Sequence, residues 1–254
     1  MVERSQGPRY RRIADDLRAK IDQKVYAADD QLPSEPELME EYGVSRNTVR
    51  LALNLLANEG RIVSQPGRGT FVRTRTVLNF TLGVEGPGSE HDPEYRSEIE
   101  AQQRTPGWGP VTMRVLPATT GIADRLRIPI EDLVVLRQIT RQVDGEPALI
   151  QRSYYPLDIA LNTALTKQQE IEQGTIAYLA ELGHQQIGYR DQLLARMPGP
   201  QETEELRLGQ GVPVMELFRT ANSAERSIRL THTIFPADLF HLVYNVGDIS
   251  PQDR

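Results

Sequence analysis

The chain has 254 residues, 39% of them hydrophobic, and a formal net charge of -6; that length accommodates two domains, each able to bury a core. Having no cysteine, it excludes disulfides, thiolate metal sites and cysteine nucleophiles. No stretch reaches the roughly 18 unbroken apolar residues of a membrane span, so a soluble, cytoplasmic protein is expected.

Tyr10, Ile13, Leu17 and Ile21 recur at spacings of three and four among charged residues, which predicts an amphipathic helix over 9–24. "SEPE" at 34–37 is a capping box: Ser34 accepts from the first turn, Glu37 reaches back, and Pro36 is tolerated where amides have no helical partner. The helix it opens runs through Leu38, Met39 and Tyr42 and stops at Gly43. Ser45 caps a third helix whose inner face is Val49, Ala52, Leu53 and Leu56 and which ends near Gly60. Two helices joined by a short turn at a glycine form a helix-turn-helix. The second opens with Arg46, Asn47, Thr48 and Arg50. The two arginines, four apart, project from one side, and their planar forks suit guanine edges; Asn47 suits adenine or a phosphate. "RIVSQPGRGTFVR" reads as strand, tight turn over Gln65–Arg68 and strand. It forms a wing in which Gly67 and Gly69 permit close backbone approach and Arg68 can enter a minor groove.

The charge distribution agrees with a nucleic-acid-facing head. Residues 1–75 carry 13 Lys+Arg against 11 Asp+Glu, the remainder 16 against 24. Within residues 46–75, Arg46, Arg50, Arg61, Arg68, Arg73 and Arg75 face the single acid Glu59. Screening beyond roughly 8 Å makes this local footprint, not the total, what phosphates feel.

Residues 83–110, rich in Gly, Pro and charge, read as a loop or lid. Beyond them, alternation predicts strands near 111–116, 133–143, 147–155, 187–197, 212–220 and 227–235, with "DGEP" at 144–147 a hairpin turn. Short helices fit 120–127, 158–165, 175–182 and 201–208. The pattern implies an α+β domain around an antiparallel sheet.

"YRRIADDLRAKI", "LPSEPEL", "GVSRNTVRLALNLLANEG" and "QPGRGTFV" resemble the winged helix-turn-helix domain of GntR-family bacterial transcription regulators. The resemblance implies DNA contacts by Arg46, Asn47, Thr48 and Arg50, a phosphate contact by Ser34, and a wing tip at Gly67; Pro36 replaces an arginine that some members use on DNA. "LRQITRQVDGEPALIQRSYYP", "IEQGTIAYLAELG", "LGQGVPVMELFRTA" and "IRLTHTIFPADLFHLVYNVG" resemble the chorismate-lyase-like UTRA effector domain of the HutC subgroup. It implies a ligand over the sheet held by arginines on the strand before the DGEP turn, here Arg137 and Arg141. Ile139 stands where a second arginine is common, Gln151 where a glutamate binds sugar hydroxyls, and Arg229 and Phe235 replace other polar positions. These departures favour a less charged or partly apolar ligand over a phosphosugar, such as an acid held by Arg141. Ser153 and Tyr155, alternating with Gln151 on one strand, share its side.

The expectation is thus a DNA-binding domain over 1–75 and an effector-binding, dimerising domain over 76–254. The protein would be a transcriptional regulator, a repressor, that binds an inverted-repeat operator as a homodimer under small-molecule control. No cofactor or metal is expected: His91, His184, His232 and His241 lack metal-ligand spacing, and Ser153 lacks the glycines of a nucleophile elbow. The alternatives are a chorismate-lyase-like enzyme fused to a DNA-binding domain and a non-specific DNA-binding protein.

Overall fold

The computed structural model describes residues 7–65, 67–73, 77–82, 93–171, 173–209 and 211–245. The chain divides into two compact units: Met1–Thr76 with Arg207–Val212, and Val77–Leu206 with Pro213–Arg254. The boundary expected at 75/76, together with Arg75 and His91, lies outside the described residues.

The first unit is built from α1 (Arg9–Asp22), α2 (Glu35–Tyr42), α3 (Arg46–Asn58) and the antiparallel hairpin β1 (Ile62–Gln65) and β2 (Gly69–Val72). The capping box forms: the Ser34 amide and hydroxyl both donate to Glu37 Oε2 at 2.7 Å, and the Ser34 hydroxyl accepts from the Glu37 amide. Gly43 ends α2 with φ +60, a left-handed conformation that costs glycine nothing. Ile13, Leu17, Leu38, Val49, Ala52, Leu53 and Leu56 close one core with Ile62 and Val72 of the hairpin. Helix periodicity thus directs the apolar stripes inward and leaves the opposite side of α3 for polar groups.

The second unit is α+β. Its seven-stranded sheet has the order β4 (Pro106–Trp108), β6 (Leu133–Val143), β7 (Glu146–Pro156), β10 (Ser227–Pro236), β9 (Val214–Asn222) and β8 (Gly188–Arg196), with β5 (Thr112–Pro117) also paired to β6. Every pairing in it is antiparallel. Asp144 (φ +52) and Gly145 (φ +83) make the two-residue turn between β6 and β7, a conformation that matches strand twist. Helices α5 (Thr120–Leu126), α6 (Leu157–Ala160), α7 (Thr175–Glu181) and α8 (Pro200–Glu205) sit in the connections.

Two expectations need correction, and one pairing is new. Part of the stretch expected to be a loop or lid, over 83–110, is helix α4 (Pro93–Ala101) followed by β4; residues 83–92 lie outside the described residues. Tyr95 and Ile99, one helical turn apart, are buried in a core with Leu149, Leu217 and Phe235, an amphipathic signal too short to stand out among Arg96, Glu98 and Glu100. The helix expected over 158–165 is interrupted: α6 stops at Ala160, Asn162 is left-handed, and a 3-10 turn follows at Ala164–Thr166. Strand β3 (Leu78–Leu82) pairs in parallel with β11 (Phe240–Tyr244), a partnership no local pattern announces.

Candidate functional site

In the first unit the outer side of α3 carries the groups with the chemistry for DNA. Arg46 and Arg50 each have a side chain 59% exposed, and both reach one carboxylate. Arg46 Nε lies 3.2 Å from Glu35 Oε2, and Arg50 Nε donates to Glu35 Oε1 at 2.9 Å. Asn47 is exposed between them. Thr48 is half-buried and its hydroxyl bonds with the capping Ser45 at 3.0 Å. Exposed Ser34 precedes Glu35 directly, so the start of α2 and the start of α3 adjoin through that carboxylate. Gly67, Arg68 and Gly69 stand exposed on the hairpin turn, closed by the Arg68 amide donating to Gln65 O at 3.0 Å. Gly67 (φ +73) and Gly69 (φ +118) hold conformations that side chains resist, and Gln31 Nε2 donates to Arg68 O at 3.0 Å, tying the wing to the segment before α2.

In the second unit, sheet periodicity brings all six predicted effector residues to one cavity of about 380 Å³. Alternate residues of a strand share a side, and the register sets Arg137 beside Ser153, Ile139 beside Gln151, Arg141 beside Leu149, and Ser153 beside Thr231. Arg229, Thr231 and Thr233 of β10 continue the polar floor, while Phe80, Leu82, Leu149 and Ile171 supply apolar wall.

The arginines differ in what already holds them. Arg137 is committed to the backbone: its guanidinium donates to the carbonyls of Leu165 (3.2 Å), Lys167 (2.6 Å) and Gln169 (2.6 Å). It therefore braces the segment that borders the cavity. Arg141 is 6% exposed, donates to Gln151 Oε1 at 3.2 and 3.3 Å, and lies 5.6 Å over the Tyr95 ring. Burial pulls its pKa down to about 10, with Glu170 acting weakly in the opposite sense. Arg229 donates to Thr175 Oγ1 at 3.0 Å and Gln186 Oε1 at 3.2 Å. The phenol of Tyr155, fully buried, finds no hydrogen-bond partner among the described residues. A buried unsatisfied hydroxyl is costly, and a ligand atom would satisfy it. The cavity thus offers cations and an open phenol against an apolar wall, which suits an anionic or hydrogen-bonding small molecule.

Sequence reasoning missed Glu35, Tyr95, Glu170, Arg219, Thr231 and Thr233. Thr231 and Thr233 were readable from Arg229 by the two-residue period of β10. Arg219 lies opposite Thr231 and is held by Asp191 at 2.8 Å through both Nε and Nη2; only the sheet order reveals it. Among the described residues no group of acids and histidines has the arrangement of a metal site, and no helix is long and apolar enough to cross a membrane.

Comparison with known proteins agrees with this division. Residues 9–72 match the family "Bacterial regulatory proteins, gntR family", and residues 101–241, more than half of the chain, match the "UTRA domain". The chain is 28% identical over 240 residues to the uncharacterised HTH-type transcriptional regulator RB1450 of Rhizobium meliloti (strain 1021), an alignment covering 94% of this chain and 95% of that one. It is 28% identical over 214 residues to the mannosyl-D-glycerate transport/metabolism system repressor MngR of Escherichia coli (strain K12), covering 82% and 83% respectively. Its fold is similar to that of PhnF from Mycobacterium smegmatis, with a TM-score of 0.57 at 21% identity over 92% of this chain and 99% of that one. With a helix-turn-helix and wing followed by an antiparallel-sheet domain, both matched in order, the chain belongs to the gntR family of bacterial regulatory proteins, in the group that carries a UTRA domain.

Proposed function

We propose that the protein is a sequence-specific DNA-binding repressor of the cytoplasm. Residues 1–75 read an inverted-repeat operator as part of a homodimer, and residues 76–254 bind a small molecule that changes operator affinity. The observation that carries this reading is the exposure of Arg46 and Arg50 side by side on the outer side of α3, while every inward position of that helix is spent on the core. On this reading Ser34, the α3 amino end and Gly67–Gly69 meet phosphates and groove walls, and Arg46, Asn47 and Arg50 meet base edges. A second copy fits the second unit: β8 ends the strand order and exposes Leu193 and Leu194.

Arg141, Gln151, Ser153, Tyr155 and Arg229 are the proposed ligand contacts, with Arg137 holding the rim. The ionisable groups around the cavity are arginines, tyrosines and Glu170, while His232 points to the other side of the sheet. Guanidinium groups gathered in one cavity suit the holding of an anion, which supports a binding role.

Selecting duplexes from a random-sequence library with the full chain tests the DNA half, and an inverted repeat should emerge. Thermal-shift screening of carboxylates, phosphates and neutral sugars tests the other half, followed by operator binding with each hit. A ligand at about 100 times its Kd should add roughly 2.7 kcal/mol of stability. Failure of the library to converge would leave a non-specific DNA binder, and conversion of chorismate to 4-hydroxybenzoate would establish the enzyme instead.

A further inference from the structure

Glu35 is the first residue of α2, and its carboxylate bridges the two arginines that open α3. Both contacts are made through Nε: 3.2 Å to Arg46 and 2.9 Å to Arg50. The Nη groups of both side chains make no hydrogen bond among the described residues. An arginine side chain ordered on DNA gives up rotamer freedom, and two arginines four apart on a helix repel each other. One acid between them reduces both costs before DNA arrives. Because its contacts are made at the Nε atoms, it leaves each Nη pair without a hydrogen-bond partner among the described residues, and an arginine's Nη fork is what spans guanine O6 and N7. The same negative charge opposes phosphates, so it weakens the sequence-independent attraction that carries non-specific binding.

We propose that Glu35 is a specificity-determining positioning residue: one carboxylate, held between Arg46 and Arg50, turns two flexible phosphate-seeking cations into a fixed pair of base readers. This rests on the proposed reading of DNA by those arginines. Discrimination comes from two directions at once, preorganisation for the correct site and repulsion at every other site.

The test uses the full-length protein, the duplex recovered from the random library with wild type, and a scrambled duplex of the same length. For E35A the scrambled duplex should bind more tightly, by a few-fold, with a salt slope steeper by about one phosphate contact. The ratio of operator to scrambled affinity should fall by about tenfold, the size of one weakened bidentate base contact. E35Q keeps an acceptor without the charge, so it should retain the selected base preference while showing the steeper salt slope. It also answers the question if E35A folds poorly. A merely structural residue at the start of α2 would lower both affinities together and leave their ratio and salt slopes unchanged, and that result overturns the proposal. R46A and R50A, measured in parallel, separate the two levels. If neither alters base preference, the base-reading assignment itself fails; if they do and the Glu35 variants keep the wild-type ratio, only the role of Glu35 is wrong.

Discussion

Replacing Arg141 with methionine separates the two things a buried arginine does. The residue is 6% exposed, and burial, the main cause, pulls its pKa from the ordinary guanidinium range down to about 10. At 1.36 kcal/mol per decade of proton affinity, the folded protein carries about 3 kcal/mol of cost for keeping this charge out of water. The sign is set by the direction: the folded state holds the proton less tightly than the unfolded chain. The cost is therefore in full force at neutral pH, begins to fall only above about pH 10, and is gone once the pH passes the ordinary guanidinium range. Against it stand the hydrogen bonds to Gln151 and the contact with Tyr95. Losing these and stranding the Gln151 carbonyl should cost roughly 1–3 kcal/mol. Arg141→Met fills the volume without the charge, so the ligand-free variant should lie between unchanged and about 2 kcal/mol more stable, a rise of at most a few degrees in Tm for a chain of this size. The same variant should lose the thermal shift produced by an anionic effector and keep operator affinity in its absence. Chemical denaturation at pH 7, paired with operator titrations with and without effector, reads both. A loss of more than about 2 kcal/mol would show Arg141 to be a structural post, and an intact effector response would move the anion site elsewhere in the cavity.

Arg46→Ala and Arg50→Ala should each weaken operator binding by about 1–3 kcal/mol and relax sequence choice, whereas Arg68→Ala should weaken all duplexes more evenly; quantitative binding to matched and single-mismatch sites distinguishes these, and an unchanged Arg46→Ala protein would remove the base-reading role. Tyr155→Phe should change stability by less than about 1 kcal/mol, with a gain more consistent than a loss, because the buried hydroxyl has no hydrogen-bond partner among the described residues to forfeit; a clear loss in a thermal melt would refute this. Glu202 receives both Nη groups of Arg196 at 2.7 and 2.8 Å and the Gly199 amide at 2.8 Å, which hold its carboxyl at about 2 against the opposing effect of burial. Its contribution, at most about 3 kcal/mol, is complete above pH 4.5 and lost as pH falls through about 2, so the penalty of Glu202→Gln should shrink by about half or more between pH 7 and pH 3.

Local signals made the first unit readable. Capping at Ser34 and Ser45, the apolar periods of α1–α3, and glycines at 43, 67 and 69 each act within a few residues, so chain order alone exposes them. The hairpin at Asp144–Gly145 was readable for the same reason, and it set the alternation that put Arg137, Arg141, Gln151, Ser153 and Tyr155 in reach of one another. Pairings between distant segments left no such trace. Helix α4 hid inside a charged stretch because its burial depends on Leu149, Leu217 and Phe235 from three different strands.

Sequence by itself therefore determined the helix-turn-helix with its wing, most of the strands of the large sheet, and the side of each of those strands on which a residue falls, since helical and strand periods are properties of the local backbone. Only the tertiary structure decided which charges are spoken for. It gave Arg137 to the carbonyls of residues 164–169, Arg219 to Asp191, and Arg46 with Arg50 to Glu35, because a guanidinium's partner is chosen by which elements pack together, and strand order and helix packing bring together residues that lie far apart along the chain.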